Sequence, residues 1–387
     1  NQANTVGGGI SNQGTLTITA QAQVYYNLAS RNGGGIYQSS GNTTIISSTL
    51  GNNTACCVLS GGSAGMGGGI YNSGGTVTLR NALVDSNSAY ARGGGILNFD
   101  TLMVDRSTIS RNVSDGADQV TQTYGGGGIY NFGNADIVSS TIRDNRTYKL
   151  DGGGFYNGWY ANATLSNVTL RGNRADEDGG GLKNNLGIAT LTNVTFSGNM
   201  ANADGGGVYS DHGQTNLRHV TFSGNSAANG GGIYNLTVYT TRTVTLQNTI
   251  LANSPASAKN CSTFPGSQDV VSQGYNLSDD DSLGIFCPMV IQSSDQNNTN
   301  PRLGVLANNG GPTTGPNLEL MLTHLPIKSL GSPAIDQILP GFNGCNTTFQ
   351  IDQRGVRRPQ GIACDIGSVE YRVGDMTPWV YLPLIMR

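Results

Sequence analysis

The sequence predicts an all-β protein, a right-handed parallel β-helix with three sides and coils of about 26 residues. Three observations lead to this prediction: a glycine triplet recurs at a nearly fixed interval, short β-branched segments lie between the triplets, and alignment of the repeats produces columns of like residues. No segment shows the apolar periodicity of a helix over 11 residues.

The glycine triplets set the period. They begin at Gly7, Gly33, Gly67, Gly93, Gly126, Gly152, Gly179, Gly205 and Gly230, so the steps are 26, 34, 26, 33, 26, 27, 26 and 25 residues. The two longer steps fit surface loops around residues 56–65 and 114–123. Each triplet allows a corner with positive φ or a close approach of two backbone segments.

Each repeat contains three short segments that are typical of strands: "GGGIYN", "TVTL" or "ATLT", and "NVTFSGN" or "NTILANS". Strands of this length do not pack alone, so three per coil in stacked coils predict the β-helix.

The two residues after each triplet fix which side of the strand faces the core. The first is apolar in every repeat, from Ile10 to Ile233, and we expect it to point inward. The second then points outward, and we expect it to be exposed. A slip of one residue would bury Lys183, which occupies this second column, so the register is well defined. The other members are mainly tyrosines: Tyr37, Tyr71, Tyr130, Tyr156, Tyr209 and Tyr234.

Asparagine fills three further columns, one for each expected turn of the coil. Asn tolerates left-handed backbone, and stacked amides can bond along the axis. The first column includes Asn72 to Asn235, and the second includes Asn81, Asn167, Asn193 and Asn248, with His219 in the same slot. The third runs from Asn87 through Asn112, Asn145, Asn173, Asn199 and Asn225 to Asn253.

The chain divides into three parts. Residues 1–300 form the β-helix, residues 301–373 a loop-rich C-terminal cap region, and residues 374–387 an apolar tail. Only 12% of residues are charged, the net charge is −3, and no Lys/Arg run is present. These values argue against a nucleic-acid partner, and no segment has the length of a transmembrane span.

The six cysteines, an even number, suit an oxidising compartment. Proximity in sequence favours the disulfides Cys261–Cys287 and Cys345–Cys364. Cys56 and Cys57 would then form a vicinal bridge or reach a neighbouring chain.

"GGGIYN" together with "FSGNMA" and "FSGNSA" resembles the repeats of the chlamydial polymorphic outer-membrane proteins. "LANNGGPTTG", "SPAID", "DQRGVRRP" and "CDIGSVE" resemble the terminal part of secreted bacterial β-helix proteins with a choice-of-anchor sorting tail. The resemblance implies export and a surface or extracellular location, and it implies no particular activity.

Two columns are candidate binding sites, and no residue is assigned a catalytic role. Asp151, Asp178 and Asp204 precede successive triplets, and stacked carboxylates would repel one another unless a cation such as calcium bound them. The alternative is a solvated turn that needs no cofactor. The tyrosine column, if exposed, would bind glycans or make lateral contacts with other molecules.

A last hypothesis concerns the two ends. The first repeat begins at Asn1, without the strand segment that precedes the equivalent asparagine in the other repeats. The apolar tail is an additional segment that could form a strand. One hypothesis is that the tail completes the first coil of another copy and so forms a head-to-tail filament. The alternative is that further coils precede Asn1 and that the tail packs on its own chain or serves as a sorting signal. A secreted, non-enzymatic filament or surface protein is therefore the preferred function, followed by a glycan-binding adhesin and then by a polysaccharide-cleaving enzyme. The tail residues concerned are Trp379, Val380, Tyr381, Leu382, Leu384 and Ile385.

Overall fold

The protein is a parallel β-solenoid of about ten turns with about 26 residues per turn, which confirms the predicted fold class. The computed structural model describes residues 1–56, 65–116, 125–238, 242–255, 257–267, 270–289 and 291–375. Cys57 and the tail residues 376–387, to which the assembly hypothesis refers, lie outside this part of the chain.

Three parallel sheets form the solenoid, and equivalent strands of successive coils are hydrogen-bonded neighbours. Sheet 1 contains Gln2–Ala3, Leu28–Ala29, Thr54–Ala55, Ser88–Ala89, Val113–Ser114, Arg146–Thr147, Arg174–Ala175 and Met200–Ala201. Sheet 2 contains Ile10–Asn12, Ile36–Gln38, Ile70–Asn72, Ile96–Asn98, Ile129–Asn131, Phe155–Asn157, Leu182–Asn185, Val208–Asp211, Ile233–Leu236 and Cys261–Thr263.

Sheet 3 is the largest and is bent. It contains Thr15–Ile18, Gln23–Tyr25, Asn42–Ile46, Thr49–Gly51, Thr76–Arg80, Leu83–Asp85, Thr101–Asp105, Thr108–Ser110, Asn134–Val138, Thr141–Arg143, Asn162–Arg171, Ile188–Ser197, Gln214–Ser223, Val244–Gln247, Ile250–Ala252, Val271–Ser272 and Leu277–Ser278. A short antiparallel pair, Thr313–Thr314 with Glu319–Leu320, and a 3-10 turn at Lys328–Leu330 lie outside the solenoid.

The division of each coil into strands differs from the expectation. The second and third predicted segments belong to one bent sheet, and in some coils they form a single strand such as Ile188–Ser197. A left-handed residue makes the bend, for example Asn193 with φ 53°. The two-residue strands of sheet 1, which follow the third asparagine column, were missed because they are too short to show alternation.

The three glycines of each triplet are required for three different reasons. Gly126 has φ 70°, a left-handed conformation that disfavours residues with a Cβ. A Cβ on Gly127 would lie 2.5 Å from the carbonyl oxygens of both Arg146 and Gly153. A Cβ on Gly128 would lie 2.5 Å from the carbonyl oxygen of Gly154 and 3.0 Å from the side-chain amide of Asn145. The triplet therefore lets the chain turn and lets two backbones and an amide meet at one corner.

The interior of the solenoid is a continuous apolar core. The residue after each triplet from Gly33 onward is buried here, as predicted, and it stacks on its equivalents: Ile36, Ile70, Ile96, Ile129, Phe155, Leu182, Val208 and Ile233, whereas Ile10 is half-buried. Phe196 and Phe222 stack in the core with ring centroids 4.7 Å apart. A Cβ on Gly181 or Gly207 would lie within 3.0 Å of those rings, so the Phe and the third glycine of the triplet occupy complementary positions.

The third asparagine column forms a continuous ladder inside the solenoid. Asn145 Nδ2 donates to Asn173 Oδ1 (3.0 Å), and that oxygen also accepts the backbone N–H of Asn145 (3.1 Å). The same paired contact recurs from Asn27 to Asn225. The ladder ends there, because Asn253 is exposed and bonds to Asp279 instead.

The other two columns differ from each other. The first is also a buried ladder, in which Asn72 donates to Asn98 (2.7 Å) and Asn98 to Asn131 (2.8 Å). The second column provides the left-handed bends of sheet 3 and shows only isolated contacts, such as Asn193 with Asn167 at 3.2 Å. The expectation of three equivalent ladders is therefore wrong for this column, because its side chains point away from the core toward the C-terminal region.

The C-terminal region, residues 301–375, lies along one side of the solenoid. Thr314 bonds to Thr108 (2.8 Å), and Gln353 bridges Thr169 and Thr195 (2.8 and 2.6 Å). These threonines belong to three different coils of sheet 3, so the region follows the long axis of the solenoid. We call residues 301–375 the strap.

Candidate functional site

The tyrosine column is largely buried, so it does not form the exposed aromatic face that was expected to bind glycans. Five of its six members are at most 9% exposed, and Tyr37 is half-buried. The rings point away from the solenoid core, as the alternation requires, but they pack against each other and against side chains of other coils. Met66 and Phe132 are among these covering residues.

Stacking within the column is interrupted by Leu97 and Lys183. Ring centroids are 5.3 Å apart for Tyr37–Tyr71, 4.8 Å for Tyr130–Tyr156 and 5.4 Å for Tyr209–Tyr234. Burial raises the pKa of Tyr234 to about 12 and that of Tyr209 further still. The phenols are therefore neutral at physiological pH.

The column of carboxylates forms a chain of contacts along the axis. Asp151 Oδ1 accepts the backbone N–H of Asp178 (3.0 Å), and Asp178 Oδ1 accepts the backbone N–H of Asp204 (3.1 Å). Asp204 Oδ1 accepts from the Asn229 amide (2.8 Å). Each carboxylate thus holds the start of the next coil, where the glycine triplet begins.

Lys183 supplies the positive charge that calcium was expected to supply. Its Nζ lies 2.8 Å from Asp151 Oδ2 and 3.1 Å from Asp178 Oδ2, and it sits 4.4 Å from the centroid of the Tyr209 ring. Among the residues that the structure describes, no three His, Cys, Asp or Glu side chains are grouped to hold a metal ion. Calcium binding by the column stays a prediction, and the structure places an internal ammonium group beside two of its three carboxylates.

Lys183 is buried, contrary to the expectation that the second column is exposed. Its side chain is 6% exposed and that of Asp151 is 1% exposed. Burial raises the pKa of Asp151 to about 6, against the opposing effect of Lys183. Burial acts to lower the pKa of Lys183, but the two carboxylates outweigh it and raise that pKa above its usual value. The sequence signal was present in "DGGGLK", a lysine in the tyrosine column five residues after a column carboxylate.

A second buried set of charges lies in the strap and was not foreseen. Arg354 pairs with Asp352 (2.9 Å), and Arg358 pairs with Glu370 (2.9 Å), with all four side chains 0% exposed. Burial, reinforced by the neighbouring Glu370, raises the pKa of Asp365 to about 8. These residues come from "DQRGVRRP" and "CDIGSVE", so their function is to hold the loops of the strap together.

Ionic and polar contacts attach the strap to the solenoid. Glu319 lies 2.6 Å from Arg143 and 3.1 Å from Arg171, which belong to adjacent coils. His219 accepts a bond from the Asn248 amide (2.8 Å) and contacts the carbonyl of Gly367 (3.3 Å). Burial keeps the pKa of His219 well below its usual value, so it acts as a neutral structural side chain.

Disulfides join Cys261 to Cys287 and Cys345 to Cys364, the two pairings that proximity favoured. Cys56 is also disulfide-bonded. Its expected partner, Cys57, lies outside the described residues.

Comparison with known proteins supports the resemblance of the repeats. The model of the Chlamydia polymorphic membrane protein repeat matches residues 193–211 and 219–236. Each matched segment contains the core Phe, an asparagine of the third column, the glycine triplet and the start of a strand of sheet 2. No curated protein and no solved structure matches the chain. Within the described ranges, no helix has the length and apolar character of a membrane-spanning segment.

Proposed function

We propose that this protein is a non-enzymatic structural β-solenoid of the cell surface, a stiff rod that spaces or displays other parts of the surface. The observation that carries this proposal is the buried asparagine ladder from Asn27 to Asn225. Sheet 2 has ten strands, and nine spacings of about 4.8 Å give a stack about 43 Å long. From Asn27 to Asn225, each coil is joined to the next by backbone and side-chain bonds.

The arrangement of charges is consistent with a structural function. The carboxylates that suggested chemistry, Asp151, Asp178 and Asp204, accept backbone N–H groups or bind Lys183 and Asn229. The strap adds a second connection along the axis, because it bonds to threonines of several coils. A surface location is inferred from the matching repeat and from the disulfides, which suit an oxidising compartment.

Protease treatment of intact cells tests the surface location. Trypsin should release peptides of this chain from intact cells of the native host, while a cytosolic marker protein stays protected. If peptides of this chain appear only after lysis, together with the marker, the proposed location is wrong.

Head-to-tail self-association is a finer form of this proposal. It rests on the sequence of residues 379–387, a short apolar segment of the kind that adds as a strand to the edge of a sheet. Sedimentation and electron microscopy of the full chain and of a variant lacking residues 379–387 provide the test. Assembly of the full chain only, with unchanged β-sheet circular dichroism in the variant, supports the proposal, whereas equal assembly of both refutes the role of the tail.

A further inference from the structure

Lys183, Asp151 and Asp178 are arranged as reactants and not only as an ion pair. The amine nitrogen lies within hydrogen-bond distance of one oxygen of each carboxylate, at 2.8 and 3.1 Å. The other oxygen of Asp151 accepts the backbone N–H of Asp178 at 3.0 Å. The same carboxyl group therefore has one oxygen beside the amine and one oxygen polarised by a fixed donor.

We propose that Lys183 Nζ and Asp151 Cγ form an intramolecular amide bond, with Asp178 as the proton carrier. The product is a covalent link between two neighbouring coils, and it goes beyond the structural function proposed above. No oxidant, metal or other reactant is needed, because the only by-product is water.

The proton and electron balance is complete. The Lys183 ammonium passes one proton to Asp151 Oδ2, which leaves a neutral amine beside a neutral carboxylic acid. The nitrogen lone pair attacks Cγ, and the negative charge develops on Oδ1, where the backbone N–H of Asp178 stabilises it. Asp178 Oδ2 then takes a proton from the nitrogen and delivers it to the Oδ2 hydroxyl group, which leaves as water. Asp178 is unchanged at the end.

Burial lowers the free-energy cost of passing from the ion pair to the neutral reactants. Asp151 is 1% exposed and Lys183 is 6% exposed, and the Tyr209 ring covers the amine at 4.4 Å. Burial disfavours both charged forms, and it raises the pKa of Asp151 toward neutrality. Water, the reagent that would hydrolyse the new amide, is largely excluded.

Asp151 is a better acyl donor than Asp178 for a geometric reason. Asp151 lies closer to the amine, at 2.8 Å against 3.1 Å, and it is 1% exposed, while Asp178, whose second oxygen also accepts a backbone N–H, is 19% exposed. The exposed position suits Asp178 as the carrier, since the released water can leave on that side. No lysine among the described residues forms an ion pair with Asp204, whose Oδ1 accepts a bond from the Asn229 amide, so Asp204 serves as the matched control.

The test is the intact mass of the full 387-residue chain after complete reduction of its disulfides. We expect the wild-type mass to be lower than the sequence mass by one water. D204N should also lack one water relative to its own sequence mass, whereas D178A should have the full mass. A full mass for the wild type overturns the proposal, and loss of water in D178A overturns the assignment of Asp178.

A second reaction that removes one water must be distinguished. Asp151 precedes Gly152, and cyclisation of an Asp-Gly pair to a succinimide gives the same change in mass. K183R keeps a positive charge but removes the primary amine, so it should have the full mass. A lower mass in K183R would assign the loss to a succinimide and overturn the proposal.

Peptide mapping of the wild type gives an independent result that does not depend on how the variants fold. Trypsin does not cleave after an acylated lysine, so digestion should yield residues 150–171 joined to an uncleaved peptide of residues 175–218. Recovery of a linear peptide that ends at Lys183, without the branched product, would contradict the proposal.

Discussion

Replacement of Asn145 by alanine tests the ladder in the middle of the solenoid. The Asn145 side chain makes four hydrogen bonds and is 0% exposed. Its amide donates to Asn173 and to the carbonyl of Ile109, and its oxygen accepts the backbone and side-chain N–H groups of Asn112, all at 3.0 Å. N145A removes all four bonds and leaves polar groups buried without their partners.

The expected loss of stability in N145A follows from the number of hydrogen bonds that the Asn145 side chain makes. A buried hydrogen bond contributes about 1 kcal/mol net, and more where its loss leaves a buried partner unsatisfied. N145A should therefore lower the free energy of unfolding by about 4 kcal/mol, a large part of a typical total of about 5–15 kcal/mol.

Urea unfolding followed by circular dichroism measures this difference, with N162A as the matched control. Asn162 is exposed and makes one side-chain bond, to Asn134 at 3.1 Å, so N162A should change stability by less than about 0.5 kcal/mol. Equal midpoints for the two variants, with unchanged denaturant dependence, would refute the argument that the ladder stabilises the stack.

Three further predictions concern the corner, the strap and the response to pH. G127A should cost about 3 kcal/mol or more, because its Cβ would collide with two carbonyl oxygens, whereas G14A, with no atom within 4 Å of its Cβ, should leave the thermal midpoint nearly unchanged. E319Q removes the charge that binds two arginines of adjacent coils; stability should fall by about 1 kcal/mol, and hydrogen exchange of the strand that contains residue 319 should become faster. Burial and Glu370 raise the pKa of Asp365 to about 8, so between about pH 4 and 8 the folded state holds a proton that the unfolded state has lost. Stability should therefore decrease as the pH rises through this window, and the decrease should be smaller in D365N; an equal slope would exclude this group as the cause.

The coil and its core could be predicted because they repeat. The positions from Ile10 to Ile233 recur at every triplet, and the alternation of strands then determines which residues face inward. The division of sheet 3 into strands could not be predicted from the sequence in the same way. Asn193 marks a left-handed bend within one strand, and in sequence it resembles a turn between two strands.

Burial of the second column could not be predicted because the residues that cover it lie both in the same coil and in other coils. Tyr130 packs against Phe132 of its own coil and lies in a cluster with Met66 of another coil, and the alternation of the strand does not reveal either contact. The strap presents the same difficulty, since the bond between Thr108 and Thr314 joins residues 206 positions apart. The position of a residue in its repeat determines the direction of its side chain, but it does not determine which other residues of the chain cover that side chain.

Electron microscopy of the natively isolated protein tests the central claim, that the chain is a stiff surface rod. We expect straight, unbranched particles of constant width, either short rods about 43 Å or more in length or fibres whose axial repeat is one subunit. Fibres would in addition support head-to-tail assembly. Rounded particles, or thin chains that bend within a single subunit, would contradict the account.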